Sequence, residues 1–236
     1  MLAARPGVHV ALSLAGRTGS PVAQGVPTRS GGFGGARGLA RHLRDDGTAL
    51  LVDATHPYAA RISANATEAA LLAGVPILAL RRPGWEPVAG DRWTLADDVA
   101  GAARALGEAP RRVFLALGRQ EVGAFEAAPR HRYLVRSVDP VDPPLCVPDA
   151  DYVLARGPFR EADEHALLVE HRIDAMVCKN SGGAATYAKI AAARALGIEV
   201  VMIRRPMLPQ VPSASSAEEL VGMIAHVLGP VAERGV

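Results

Sequence analysis

Five short loops carry most of the side chains able to do chemistry, and each follows or precedes an apolar run. SLAGRTG (13–19) offers Ser13, Gly16, Arg17 and Thr18 with no acid nearby. A hydroxyl and a guanidinium at a strand end suit a ribose 2′-phosphate, where an acid would suit a ribose diol. An ordinary turn with a solvated Arg is the plain alternative. RSGGFGG (29–35) sets four glycines around Phe33. Gly31 and Gly32 can turn bare N–H groups toward an oxyanion, and a large apolar residue there asks for cover. DATHPYA (53–59) brings Thr55 or His56 to the cap of a helix opened by Pro57. The positive helix end disfavours protonated His56, leaving a neutral hydrogen-bonding group suited to a nicotinamide. A structural His is the alternative there.

The other two loops are cationic. LGRQ (117–120) carries Arg119 from a strand end into a helix. KNSGGAATYAK (179–189) holds Lys179, Asn180 or Ser181 as a helix cap, Gly182 and Gly183 as backbone donors, then Thr186 and Lys189. It makes an anion site or simply a well-capped helix. It is not a P-loop, because the GxxxxGK[ST] spacing is missing. The chain also lacks metal-ligand spacing, a nucleophile elbow and GxGxxG.

Composition narrows the class. The 236 residues are 49% hydrophobic but only 4% aromatic, so Ala, Leu and Val must build the core. A net charge of +2 argues against a nucleic-acid binder. No apolar run approaches the ~18 residues a membrane span needs, and no signal peptide is visible, so the expected location is cytoplasmic. Cys146 and Cys178 read as reduced thiols.

Strand and helix alternate throughout. Strands are expected at 8–14, 49–55, 75–83, 113–118, 132–138, 151–157, 174–180 and 198–206. Helices are expected at 35–47, 57–74, 95–107, over QEVGAFEAA, and at 160–172, 184–197 and 216–229. Such alternation implies a mostly parallel sheet wound on both faces. RPGWEPVAGDRW (82–93), rich in Pro, Gly and Trp, reads as a domain connection.

Taken in order, SLAGRT, GGFGG, DATHPYAARIS, RP-W, DRW, LGRQ, LVRSVDP, RGPF, KNSGG and RRP resemble the precorrin-6A reductase family, with its cobalt-precorrin-6A relatives, from about residue 8 to 208. The resemblance implies two Rossmann-like α/β domains with mostly parallel sheets: 1–83 binding NADP, 84–93 connecting, and 94–236 binding substrate, with cofactor and macrocycle meeting in the cleft between them. It implies NADPH as cofactor, held by Ser13, Gly16, Arg17, Thr18, Gly31, Gly32, Thr55 and His56. Hydride transfer to precorrin-6A would give precorrin-6B in cobalamin biosynthesis. A carboxylate-fringed tetrapyrrole needs cations and donors, and Arg119, Arg156, Lys179, Asn180, Ser181, Gly182, Gly183, Thr186 and Lys189 can supply them. His56 or Tyr58 can give the proton, and so can water. Transient contact with neighbouring pathway enzymes is a further expectation. The family pattern also places a strand, a phosphate loop and most of a helix before residue 1, so the natural protein is expected to begin upstream of Met1. Two alternatives stand: an NADP-dependent reductase of another acidic metabolite, and a non-catalytic tetrapyrrole-binding protein.

Overall fold

The computed structural model describes residues 7–16, 19, 23 and 25–229. The chain divides into two compact units, Met1–Pro83 with Pro206–Val236, and Gly84–Arg205. In chain order the first unit opens with β1 (Leu12–Leu14), β2 (Thr28–Ser30), α1 (Ala36–Asp45), β3 (Leu51–Asp53), α2 (Ala60–Ala73) and β4 (Ile77–Leu80). The second holds β5 (Trp93–Ala96), α3 (Val99–Ala105), β6 (Arg112–Ala116), a 3-10 helix (Val122–Ala127), β7 (Arg132–Ser137), β8 (Ala150–Leu154), α4 (Glu161–Glu170), β9 (Ala175–Lys179), α5 (Ala188–Ala195) and β10 (Glu199–Ile203). The chain then returns to the first unit as β11 (Ser213–Ala214) and α6 (Ala217–Leu228). All described strand pairs are parallel, as the alternation implied.

In the first unit, Ala36, Leu39, Ala40 and Leu43 recur at helical spacing on α1. They pack with Ala69 and Ala73 of α2, over Leu51 and Val75. Gly74, at φ 69°, ends α2 in the left-handed conformation its sequence position suggests. On the other side, Leu220 and Ile224 of α6 bury Leu78 and Ala214. The Ser216 hydroxyl starts α6 by accepting from Glu219 N–H at 3.1 Å. The described strands form two ladders, β1–β2 and β11–β4–β3.

The second unit has one six-stranded sheet in the order β5-β10-β9-β6-β7-β8. Its four inner strands β10, β9, β6 and β7 are mostly buried and rich in apolar residues, as two covered faces require, while the edge strands β5 and β8 are partly exposed. Phe114, Leu134, Met176, Cys178, Val200 and Met202 meet Leu168 of α4 and Ile190, Ala192 and Ala193 of α5. After β6 the chain moves outward through β7 and β8, then crosses back to β9 and β10. The order therefore reverses between β6 and β9, which pair Ala116 with Cys178. Loops leaving those two strand ends flank the crevice where open α/β sheets take ligands.

Several expectations need correcting. The span 94–236 is not one domain: Pro206–Val236 folds with the first unit. Ala79 N–H donates to Pro212 O at 2.9 Å and Arg81 N–H to Ala214 O at 2.7 Å, adding β11 to β4. A two-residue strand leaves no periodic trace, so the return was invisible. Residues 84–93 belong to the second unit rather than standing apart. Residues 93–96 form the edge strand β5 where a helix was expected from 95, and α3 starts behind the Asp98 cap, whose carboxylate accepts from Gly101 N–H. QEVGAFEAA is a 3-10 turn.

Candidate active site

The strand ends of the first unit hold the loops assigned to cofactor. Arg17 and Thr18 lie outside the described residues. Ser13 sits in β1, and its Oγ accepts from Arg29 Nη1 at 3.2 Å, so the hydroxyl proton remains for another acceptor. Arg29 also donates to Gly31 O at 3.0 Å and Gly32 O at 3.3 Å, and its guanidinium lies 3.8 Å from the Phe33 ring centroid. Phe33 gains its cover from Arg29 and from His42, 4.9 Å away ring to ring. One residue missed in the sequence thus organises both loops. Its signal was an Arg two positions before a glycine cluster. A Cβ on Gly16 would lie 3.3 Å from Ser30 Oγ, so the β1 turn and the glycine loop approach closely. α1 begins at Gly35 with no side-chain cap and no acid in its first turn. Such an amide terminus favours an anion.

Thr55 and His56 do not cap α2, which starts three residues later than expected, behind Ala59. Thr55 is instead held by Asp53, whose Oδ1 accepts from its N–H at 3.1 Å and its hydroxyl at 2.6 Å. The His56 ring is 5.6 Å from that of Tyr58, and its Nδ1 accepts from Tyr58 N–H at 3.3 Å. Asp53 is 3% exposed and takes Arg81 Nη2 at 2.6 Å. Burial alone would raise its pKa, but hydrogen bonds from Arg81, Thr55 and Ser63 outweigh that and hold it below the ordinary carboxylate value.

The sign of the resulting pH dependence is fixed. With the native pKa below the unfolded one near ~3.9, Asp53 stabilises fully above that value and loses its effect as pH falls through the native pKa. Neutral, buried His131 acts higher up. Burial and the charges of Arg130 and Arg111 lower its pKa, so stability declines as pH drops below about 6.5 toward its native value. Urea unfolding across acidic pH should show a shallower limb below about pH 4 in Asp53→Asn than in wild type. Parallel limbs would remove Asp53 as the source.

In the second unit the structure brings several assigned residues to the β6/β9 crevice. Lys179, at the end of β9, is chelated by both carboxylate oxygens of Glu121, which the sequence reading passed over. That pair ties the LGRQE loop to the KNSGG loop. Arg119 lies 3.8 Å from Asp139. Gly182 and Gly183, at φ 69° and 74°, shape the loop after Ser181. Arg156 is on the exposed loop after β8, and that loop approaches the same segment where Phe159 N–H donates to Ala185 O at 3.4 Å.

Two assigned residues face inward. Asn180 does not cap α5, which starts at Ala188 behind Tyr187; its amide clasps the backbone of Trp85. Lys189 is 5% exposed, and its ammonium donates to Thr186 O at 2.6 Å. Neither reaches outward as a carboxylate ligand was expected to do.

Two parallel α/β units, with glycine loops and cations at the strand ends, define a Rossmann-like architecture. The model of the precorrin-6x reductase CbiJ/CobK family matches residues 1–225, and the chain belongs to that family. It is similar to the precorrin-6A reductase of a Sinorhizobium species, 60% identical over 220 residues, covering 93% of this chain and 84% of that protein. It is 48% identical to the precorrin-6A reductase of Rhodobacter capsulatus over 219 residues, covering 93% and 87%. A solved CobK precorrin-6A reductase superposes with a TM-score of 0.89 at 48% identity, covering 96% of this chain and 89% of that one. No helix among the described residues is long and apolar enough to cross a membrane.

Proposed function

We propose that the chain reduces precorrin-6A with NADPH in cobalamin biosynthesis. It is an oxidoreductase: a hydride reaches a conjugated bond of the ring, and a proton completes the CH–CH product. The observation that carries the reading is the family match across residues 1–225, with 60% identity to a protein named precorrin-6A reductase. NADPH supplies the hydride when bound. Ser13, Gly16, Arg17, Thr18, Gly31 and Gly32 hold it, the Ser13 proton and Arg17 taking the 2′-phosphate. Thr55 and His56 face its nicotinamide end. His56 is the protein's candidate proton donor with Tyr58 beside it, and water serves equally.

Arg119, Arg156, Lys179, Ser181, Gly182, Gly183 and Thr186 receive the macrocycle's carboxylates. Glu121 keeps Lys179 ordered until a substrate carboxylate shares its ammonium. The first test is loss of NADPH absorbance with anaerobic precorrin-6A. One NADPH consumed per macrocycle is expected, and an unchanged signal overturns the reading.

Two substitutions divide the roles. Arg17→Ala should raise KM for NADPH roughly ten- to a hundredfold, the worth of a charged hydrogen bond, and leave that for NADH nearly unchanged. Equal losses would remove Arg17 from the phosphate. Lys179→Ala should weaken macrocycle binding and reduce its salt dependence with NADPH affinity intact. The reverse pattern would mean that the two sites have been exchanged.

A further inference from the structure

Trp85 is 8% exposed and lies next to the first residue of the second unit, where the sequence suggested only a connection. Its backbone N–H donates to Asn180 Oδ1 at 2.7 Å, and its carbonyl accepts from Asn180 Nδ2 at 2.9 Å. A side-chain amide thus imitates the paired bonds of a strand ladder. The fit is close: a Cβ on Gly84 would meet the Asn180 amide at 3.3 Å. The indole N–H donates to Gly183 O at 2.9 Å. The ring lies 4.7 Å from the Lys189 ammonium and meets Tyr187 edge-on at 5.8 Å. Lys189 in turn holds Thr186 O. Arg205, the last residue of this unit, donates from Nε to Asn180 O at 2.8 Å.

One indole and its neighbours therefore fasten the loop at residues 180, 183, 186 and 187. No side chain caps α5, so a helix cap does not fix the loop's course. A buried ammonium sandwiched between a carbonyl and an aromatic face is costly unless its partners stay in place, which makes the arrangement rigid. Burial also lowers the Lys189 pKa.

We propose that Trp85 is a positioning residue for the reduction, acting through the 179–187 loop, with Asn180 and Lys189 as parts of the same framework rather than substrate contacts. The proposal rests on the reading that this loop receives the macrocycle. Hydride transfer depends on placement, and a displacement of about 1 Å can lower a rate roughly a hundredfold. A loop with two adjacent left-handed glycines has little stiffness of its own. Its outward groups can hold a large ring in register only if its inner side is pinned.

The experiment is steady-state kinetics with precorrin-6A and NADPH on Trp85→Phe, Lys189→Met and Ser181→Ala, with a thermal midpoint for each. Trp85→Phe keeps an aromatic face for Lys189 and removes the N–H on Gly183 O together with part of the buried ring, whose cost the thermal midpoint reads. It should raise KM for the macrocycle about five- to tenfold, the usual worth of one hydrogen bond, with KM for NADPH unchanged. Lys189→Met keeps the buried stem, releases Thr186 O and should show the same split. Equal increases for both ligands, or a lowered midpoint with both KM values unchanged, would assign Trp85 a merely structural role and overturn the proposal. If Ser181→Ala weakens the macrocycle while Trp85→Phe and Lys189→Met do not, Trp85 loses its role and the loop reading stands. If none of the three changes kcat/KM for the macrocycle, the loop reading itself fails and takes the proposal with it.

Discussion

Glu164→Ala should destabilise the second unit by about 3–5 kcal/mol, the cost of leaving one member of a buried ion pair alone. Arg136 on β7 and Glu164 on α4 are 7% and 3% exposed in their side chains and meet through two hydrogen bonds, one at 3.0 Å. The guanidinium is further enclosed by Phe159 at 3.9 Å and Phe114 at 4.8 Å. Removing the carboxylate strands a charge that cannot be neutralised, because Arg does not deprotonate in proteins. The pair itself need not be a net gain over apolar packing. The double variant Arg136→Met/Glu164→Leu should therefore recover most of the loss. Urea midpoints of wild type, single and double variants decide the matter. A single-variant loss below about 1 kcal/mol would mean that water reaches this site and that the pair behaves like a surface contact.

Gly38→Ala should lower stability although the same change in an open helix normally raises it by about 1 kcal/mol. A Cβ at residue 38 would stand 1.7 Å from Phe33 O and 2.8 Å from Phe33 C, both backbone atoms. The glycine loop must move, and Arg29 then loses its grip on Gly31 and Gly32. Overpacking of this kind costs about 1–3 kcal/mol, enough to reverse the sign. Displacement of the loop should weaken NADPH and NADH alike, by more than about tenfold on the proposed cofactor reading. That shared loss distinguishes loop placement from the phosphate-selective effect expected of Arg17. A variant that is more stable than wild type and binds NADPH normally would show that the loop yields freely.

The return of Pro206–Val236 to the first unit shows how far periodicity reaches. The α6 pattern was legible from Ser216 onward because its cap and its apolar spacing are local. Its destination was not, since it depends on β11 adding to β4 through two backbone hydrogen bonds. β5 was missed for a related reason: an edge strand half open to solvent carries no continuous apolar run.

The sequence by itself determined the parallel α/β class, most of the long elements and, through the order of its loops, the resemblance to the precorrin-6A reductases. It also singled out residues 179–189 as a candidate anion site, because glycines, an expected helix cap and both lysines of the chain fall there. Tertiary structure decided what each side chain in that segment does. Lys179 meets Glu121, 58 positions away, because β6 and β9 are neighbours in the sheet. Asn180 meets Trp85, 95 positions away, at the start of the unit. Helix and strand periods arise from contacts between near residues and can be read along the chain. The partners of a buried amide or ammonium are set by strand order, and strand order leaves no local period to read.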